Sequence, residues 1–209
     1  MSEDEATIEL QRVAAEVSVC PKCELARSRT HAVPGEGNPH ARVMLIGEGP
    51  GWHEDQKGRP FIGNAGKFLN ELLARAGLSR EEVFITNVVK CRPPGNRDPM
   101  PDEIAACAPY LDRQIAAIDP DVIVTLGRFS MARWFPGERI SRIHGQPKRD
   151  GKRLIVPMYH PAAALHQASY RGAIEEDFSK LPKLLAEAEQ TREAAARQPD
   201  PDVEQKKMF

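Results

Sequence analysis

Four short apolar runs constrain the fold more than any other feature of this sequence. Each is rich in Val, Ile and Leu, and each is followed by a glycine-marked or polar turn; the runs are residues 43–46, 83–86, 122–126 and 154–158. Runs of this length and composition are typical of strands that are buried on both faces, as in a parallel sheet. The sequence therefore predicts four such strands.

Helical patterns lie between these runs, at residues 67–76, 102–118 and 128–134, and one more follows them, at residues 174–189. In the first pattern, Phe68, Leu69, Leu72 and Leu73 share one face, and Gly77 follows its end. Strands that alternate with helices predict an α/β fold in which an open parallel sheet carries helices on both faces. Ligands of such sheets bind outside the carboxyl ends of the strands.

Composition sets limits on the class of protein. The chain has 209 residues, of which 41% are hydrophobic, which suits one core-bearing domain with tails. No run is long enough to cross a membrane. The formal net charge of -1 excludes a globally basic DNA-binding protein. Residues 128–153 are locally basic, which leaves open either a face for a polyanion or a solvated charged segment.

The cysteines form one C-x2-C pair and two distant singles: Cys20, Cys23, Cys91 and Cys107. Two thiolates close in sequence and two from remote segments are typical of a tetrahedral four-sulfur metal centre. The first residues are acidic and lack an apolar run, so we expect a reducing compartment, where disulfides are rare. Free structural thiols are the alternative, and the spacing alone does not separate zinc from an iron–sulfur cluster.

Polar and glycine-rich segments follow the predicted strands, and they would meet at one edge of the sheet. Residues 47–51 (Gly-Glu-Gly-Pro-Gly) follow the first strand, and the loop that precedes the first helix carries Phe61. Asn87 follows the second strand, and His160 follows the fourth. Each residue alone has an ordinary structural explanation, as a core, turn or loop residue. Together they suit a planar heterocycle that stacks on an aromatic ring and is read by an amide and an imidazole.

Separated motifs, in order, resemble those of the family 4 uracil-DNA glycosylases, the iron–sulfur-containing bacterial and archaeal branch of their superfamily. The motifs are the four cysteine positions and residues 47–51, 58–63 (Gly-Arg-Pro-Phe-Ile-Gly), 86–97 (Thr-Asn-Val-Val-Lys-Cys-Arg-Pro-Pro-Gly-Asn-Arg) and 160–165 (His-Pro-Ala-Ala-Ala-Leu). The resemblance covers roughly residues 8–190. It implies a three-layer α/β/α fold around a central four-stranded parallel sheet. It also implies a [4Fe–4S] cluster on Cys20, Cys23, Cys91 and Cys107.

The resemblance also implies a substrate, uracil-containing DNA, and roles for single residues in base excision repair. Asn87 would bind the uracil edge and reject cytosine, Phe61 would stack on the flipped base, and His160 would donate a hydrogen bond to uracil O2. Glu54 stands where the family has an acidic side chain near the base, which would disfavour the C5 methyl group of thymine. The N-glycosidic bond would then be hydrolysed to leave an abasic site.

The residue that positions the attacking water is less evident from the motifs. Better-known relatives have an aspartate at the position of Gly49, and family 4 usually has alanine there. Glu48 is the nearest carboxylate, so we expect it to position the water or the backbone. A covalent-trapping branch of the superfamily has an Arg-Arg-Ile-His-like loop soon after the Asn strand. In this chain the similar residues 139–144 follow the third strand instead, which predicts ordinary turnover.

The end of the chain differs from the rest in composition. Residues 188–209 are polar and lack an apolar period, so we expect a glycosylase domain over residues 1–187 and a flexible tail after it. The last five residues, 205–209, resemble a bacterial sliding-clamp-binding peptide, with Gln205, Met208 and Phe209 as its contact residues. A frayed tail with accidental apolar residues is the alternative. We expect a cytoplasmic, nucleoid-associated monomer that does not bind membranes.

Two other functions remain open at this point. One is a glycosylase for another deaminated base, hypoxanthine or xanthine, because small changes around Glu48, Gly49 and Glu54 would alter the pocket. The other is a cluster-bearing DNA-binding module without catalysis, which would not need Asn87 or His160. Leu165 and His166 are our candidates for the residue that fills the gap in the DNA stack.

Overall fold

The computed structural model describes residues 3–197. The strands are β1 (Glu36–Gly37), β2 (Val43–Gly47), β3 (Phe84–Asn87), β4 (Val122–Leu126), β5 (Lys148–Asp150) and β6 (Arg153–Met158). The helices are α1 (Glu3–Val19), α2 (Leu25–Ser28), α3 (Trp52–Lys57), α4 (Asn64–Arg75), α5 (Pro101–Ile118), α6 (Arg128–Met131), α7 (Ile140–Ile143), α8 (Ala162–His166), α9 (Tyr170–Ser179) and α10 (Leu181–Arg197).

The sheet has the strand order β1-β3-β2-β4-β6-β5. Its four central strands, β3, β2, β4 and β6, are parallel and are the four that the apolar runs predict. The expectation of four strands was nevertheless incomplete, because β1 and β5 add antiparallel edges. These edge strands have only two and three residues, and all three residues of β5 are exposed, so no apolar pattern marks them.

Two apolar layers enclose the sheet, as expected for a three-layer α/β/α fold. On one face, alternate strand residues such as Leu45 and Val124 pack with apolar side chains of α4, α9 and α10. On the other face, Met44 and Ile123 pack with residues of α5. The strands therefore read as continuous apolar runs because both of their faces are buried. None of the helices within residues 3–197 is long and apolar enough to cross a bilayer.

The carboxyl-terminal helices differ from the expected boundaries. The single helix predicted over 174–189 is two helices, which separate at Lys180, one residue before Leu181-Pro182. The second of them, α10, continues to Arg197, and Ala188 is fully buried, so the boundary that we placed at residue 188 falls inside a packed helix. The polar composition of this segment concealed a narrow apolar face. The proposed clamp-contact residues Gln205, Met208 and Phe209 lie outside the described residues.

Candidate active site

The carboxyl ends of the parallel strands form one wall of a cleft of about 510 Å³. The register of β2 and β3 pairs Gly47 with Asn87, so the segments after both strands leave the sheet at the same level. β6 ends at Met158, two residues before His160. All the residues that the sequence nominates for catalysis or uracil binding line this cleft: Glu48, Gly49, Glu54, Phe61, Asn87 and His160.

Asn87 presents an unsatisfied acceptor. The residue is only 2% exposed, and its Oδ1 has no hydrogen-bond partner. Gly47 makes room for it, since a Cβ at that position would lie 2.4 Å from Asn87 Oδ1 and 2.8 Å from the Phe61 ring. A buried amide oxygen without a partner is costly for a folded protein. Its presence beside a cleft is therefore evidence for a ligand that brings an N–H group.

His160 is set up as a neutral hydrogen-bond donor. Its Nδ1 lies 3.1 Å from the backbone nitrogen of Ala162, which is only able to donate, so Nδ1 is the acceptor. In a neutral imidazole the proton then lies on Nε2. Burial lowers the pKa of His160 to about 4, against the opposing charge of Glu54. The ring is therefore neutral at pH 7 and offers its Nε2–H group.

Phe61 stacks near His160, and Glu54 hydrogen-bonds to the loop that carries Phe61. The Phe61 ring centroid lies 5.3 Å from that of His160, with 25° between the ring planes. Glu54, on α3, accepts hydrogen bonds from the backbone N–H groups of Ile62 at 3.0 Å and Gly63 at 2.9 Å. Glu54 Oε1 therefore holds the loop that carries the aromatic ring. A role for Glu54 against the thymine methyl group stays a prediction.

Glu48 bridges two loops of the cleft. Its Oε1 accepts the backbone N–H of Phe129 at 3.1 Å, at the start of α6. Burial raises the pKa of Glu48, and this outweighs the hydrogen bond from Phe129 and the nearby charge of Arg128. A carboxylate whose pKa is raised toward neutrality is suited to accept a proton. Gly49, next to it, contributes only backbone to the cleft wall.

Sequence reasoning missed two charged residues that line the cleft. Arg97 and Asp98 line the cleft. Arg97 is fixed by two hydrogen bonds to Glu103, of 2.9 and 2.6 Å, and Asp98 pairs with Arg128. Arg128 lies 30 residues from Asp98, so no local pattern reveals that this part of the cleft is held in place.

Exposed apolar side chains flank the cleft mouth. Leu165 is 51% exposed and precedes the cleft-lining His166 on α8. Trp52 follows the cleft-lining Gly51 and is 53% exposed. Exposed large apolar side chains beside a cleft often contact a ligand. Leu165 and Trp52 are thus placed to touch whatever surrounds the group that enters the cleft.

The basic segment 128–153 is largely neutralised by local partners. Five of its cations contact carboxylates, in the pairs Arg128–Asp98, Arg133–Asp112, Arg149–Glu187, Lys152–Asp119 and Arg153–Asp119. This favours the solvated charged segment over a dedicated polyanion face.

The His144 side chain is also engaged outside the cleft. Its Nδ1 lies 2.7 Å from Asp177 Oδ2, and its ring contacts Tyr159. His144 is not among the residues found to line the cleft in the described part of the chain. A nucleophile would need an imidazole free to reach the substrate, so this arrangement is consistent with ordinary turnover.

The four cysteines meet at a second place, where the end of α1, the segment after β3 and α5 come together. They line one small cavity: Cys20, Cys23, Cys91 and Cys107. Its surroundings are apolar and include Val13, Val17, Leu25, Val89 and Tyr110. The structure thus brings together all four thiols that the sequence nominates as ligands.

Two nitrogen donors are directed at these sulfur atoms. Arg29 Nη1 donates to Cys91 Sγ at 3.2 Å, and the backbone N–H of Lys90 donates to Cys107 Sγ at 3.3 Å. Burial raises the pKa of Cys107 to about 11, so its thiol form is favoured when no cation is bound. Among residues 3–197, no three His, Cys, Asp or Glu side chains are placed to hold a single metal ion. Four thiols with N–H donors around a shared cavity are a ligand set that suits a four-sulfur site.

A buried lysine, Lys90, lies between the cleft and the cysteine cavity in sequence. Lys90 is 1% exposed, and its Nζ donates to the backbone oxygen of Asn87 at 2.9 Å and to Gln114 Oε1 at 2.7 Å, and also to Thr86. Burial lowers the pKa of Lys90 to about 8. The turn between the cleft amide and Cys91 is therefore fixed from inside. Lysine is rarely fully buried, so sequence reasoning did not select it.

Comparisons with known proteins agree with the motifs. Residues 34–186 match the family model of the uracil DNA glycosylase superfamily. The chain is 52% identical over 185 residues to the type-4 uracil-DNA glycosylase of Sulfurisphaera tokodaii, with 84% of each chain covered. It is 50% identical to the type-4 enzyme of Saccharolobus solfataricus, over 85% of this chain and 87% of that one. The corresponding protein of Archaeoglobus fulgidus is 46% identical, over 87% and 96%.

Proposed function

The chain belongs to the uracil DNA glycosylase superfamily, and we propose that it excises uracil from DNA and leaves an abasic site. One observation of the cleft carries this proposal. An unpaired acceptor, Asn87 Oδ1, and a neutral donor, the Nε2–H group of His160, border one cleft beside the Phe61 ring. This set matches the N3–H group, the O2 atom and the planar face of uracil.

Asn87 distinguishes uracil from cytosine through the polarity of its amide. Its Oδ1 accepts from uracil N3–H, and its amide N–H group donates to O4. In cytosine N3 is an acceptor and the exocyclic amino group a donor, so both contacts become repulsive. A site built to pair with a hydrogen-bonding edge rejects an edge of the wrong polarity strongly, because its buried groups stay unpaired.

Negative charge that develops on the base is stabilised by His160. As the bond between N1 and C1′ breaks, the electron pair moves onto uracil and spreads to O2 and O4. A neutral imidazole N–H at O2 stabilises this anion without transferring a full proton. One such donor contributes about a hundredfold to a thousandfold in rate where water is excluded.

Water then adds to C1′ of the deoxyribose and loses a proton. Glu48 is the carboxylate of the first loop, and its raised pKa suits it to orient that water and accept the proton. The hydrogen bond from the Phe129 N–H group holds Oε1 of this carboxylate in place.

The rim of the cleft suits extrusion of a base from DNA. Flipping costs a few kcal/mol, least for a mismatched pair. Exposed Leu165 is placed to fill the gap that the base leaves, and burial of a leucine side chain offsets roughly 1.5–3 kcal/mol of that cost.

We assign the cysteine cavity to a [4Fe–4S] cluster held by Cys20, Cys23, Cys91 and Cys107. When bound, the cluster supplies a covalent cross-link between remote segments of the chain. Cys91 lies four residues after Asn87, so this cross-link also steadies the segment that carries the uracil-reading amide. The N–H donors Arg29 and Lys90 stabilise the thiolate ligands.

The finer partner assignments are also part of this proposal. We place the protein in the cytoplasm as a nucleoid-associated monomer, with residues 205–209 as a peptide that binds the sliding clamp. Deletion of these five residues should abolish clamp binding and leave excision unchanged. Unchanged clamp affinity would refute the assignment of Gln205, Met208 and Phe209.

The proposed activity is tested with labelled oligonucleotides that differ in one base: uracil, thymine, hypoxanthine or xanthine. Each reaction is divided, with one half heated in alkali and the other run on a denaturing gel. We expect alkali-dependent cleavage at uracil and no protein–DNA adduct. Cleavage only at hypoxanthine or xanthine would show that another deaminated base is the substrate. A stable protein–DNA adduct would indicate covalent trapping. Binding without cleavage at any base would indicate a non-catalytic module.

A further inference from the structure

Arg80 hydrogen-bonds to the backbone of the loop that carries Phe61, the aromatic ring of the cleft. Its guanidinium donates to the carbonyl oxygens of Pro60 and Phe61, the latter at 3.2 Å. From this geometry we propose that Arg80 is a positioning residue that fixes the base-stacking face of the cleft. The inference rests on the proposed uracil excision and adds to it a residue that touches neither base nor sugar.

The backbone at Phe61 needs such a support. Phe61 has a φ of 50°, in the left-handed region that non-glycine residues rarely adopt. The loop is also pressed against the first turn of α4, since a Cβ on Gly66 would lie 1.7 Å from the Phe61 carbonyl oxygen. A strained conformation persists only where surrounding groups over-determine it.

Two side chains of opposite charge hydrogen-bond to the backbone of the same loop, one to its carbonyl groups and the other to its N–H groups. Arg80 binds carbonyl groups at Pro60 and Phe61, and Glu54 binds the N–H groups of the next two residues. The backbone dipoles on both sides of Phe61 are therefore fixed. The ring then has one orientation before a base enters, which is the preorganisation that stacking needs.

Arg80 is itself oriented from the sheet edge. Glu36 of β1 accepts hydrogen bonds from Arg80 Nη2 at 2.8 Å and Nε at 3.1 Å. Burial alone would raise the pKa of Glu36, but the hydrogen bonds from Arg59 and Arg80 outweigh it and hold that pKa low. The Arg80 side chain is 15% exposed.

Arg59 offers a matched control within the same cluster. It donates to the same carboxylate, Glu36, at 2.7 and 3.0 Å. It makes no hydrogen bond to the Pro60 or Phe61 carbonyl among the described contacts, and its side chain is 60% exposed. Loss of either arginine removes one partner of Glu36, but only loss of Arg80 frees the loop.

The test compares Arg80→Met with Arg59→Met in two binding measurements and one rate. The measurements are inhibition of excision by free uracil and the affinity for DNA that contains an abasic-site analogue, alongside the single-turnover excision rate. We expect Arg80→Met to weaken uracil inhibition about tenfold or more and to slow excision similarly. Arg59→Met should change both by less than about twofold, and abasic-DNA affinity should stay unchanged in both variants.

A second variant, Arg80→Lys, keeps the test decisive if the methionine variant misfolds. A lysine ammonium group is able to reach one of the two carbonyl oxygens but lacks the planar, two-pronged guanidinium of arginine. It should therefore restore uracil inhibition only in part. The inference is overturned if Arg80 and Arg59 variants show equal uracil inhibition, or if uracil and abasic-DNA binding fall together. A wild-type protein that neither excises uracil nor is inhibited by it would instead overturn the proposed function.

Discussion

The cleft and the cysteine cavity share one short segment, yet they are built in opposite ways. At one end of the segment, Asn87 Oδ1 is buried and unpaired. At the other end, Cys91 Sγ accepts an N–H donor within apolar walls, and Cys107 Sγ on α5 does so beside it. The unpaired Asn87 oxygen borders open space in the cleft, where a ligand is able to supply the missing N–H group. The thiols are enclosed, and we propose that the group they hold is bound as the chain folds.

This difference separates function from stability within one protein. An unpaired buried oxygen destabilises the free protein and strengthens binding of a ligand that satisfies it. Ligand thiols around a group that only the folded chain holds convert binding into folding free energy. Substitutions in the cleft should therefore lower activity while the free energy of unfolding is maintained. Substitutions in the cysteine cavity should lower the free energy of unfolding first.

The largest effect is expected at the cysteine cavity. Cys107→Ala should remove iron from the purified protein and lower the melting temperature by roughly 10 °C or more, because the proposed cluster loses a ligand and its cross-link between remote segments. Iron content and thermal unfolding measure this directly. A variant that retains a wild-type melting temperature without iron would show that the cavity does not depend on a bound group.

Asn87→Leu should show the reverse behaviour. Excision of uracil should fall about a thousandfold, because the base loses both polar contacts and its own N–H and O4 groups are left unpaired. The free energy of unfolding should be unchanged or higher, since an unpaired buried oxygen is removed. A melting temperature lowered as far as in Cys107→Ala would erase the contrast between the two places.

Glu48→Gln tests whether the cleft also supplies the base for water. The amide oxygen of glutamine still accepts the Phe129 N–H, so the fold should persist. The single-turnover excision rate should fall about a hundredfold at saturating enzyme. Near-normal turnover would remove Glu48 from the mechanism and leave it as a loop anchor.

The last prediction concerns the pH dependence of stability, where the full effect is reached only over a wide pH range. His160 has a folded-state pKa of about 4, below its ordinary 6.5, so the unfolded chain takes up the proton first. The stability that this provides is present above pH 6.5 and is lost as the pH falls toward 4. Compared with His160→Gln, the wild-type protein should lose up to about 3 kcal/mol more over this range. If the two proteins lost stability in parallel as the pH falls, a neutral, partly buried imidazole at position 160 would be contradicted.

Much of the fold was predictable because the four central strands are buried on both faces. The short edge strands were not, since β5 consists of exposed charged residues and pairs only through its backbone. The extent of α10 was also hidden, because its packing depends on a few small side chains such as Ala188 and on the ion pair between Arg192 and Asp121.

The residues of the cleft were predictable by motif, but their supports were not. Lys90 contacts Gln114, 24 residues away, and Arg80 contacts the carbonyl of Phe61, 19 residues away. Such pairs leave no local period or spacing. Glu48 illustrates the same limit, because only the folded chain brings it to the Phe129 amide.

A crystal structure with free uracil tests the central claim most directly. We predict that uracil binds in the cleft with N3 within about 3.2 Å of Asn87 Oδ1 and O2 at the same range from His160 Nε2. Uracil bound elsewhere, or in the cleft with the Asn87 oxygen still unpaired, would contradict the account.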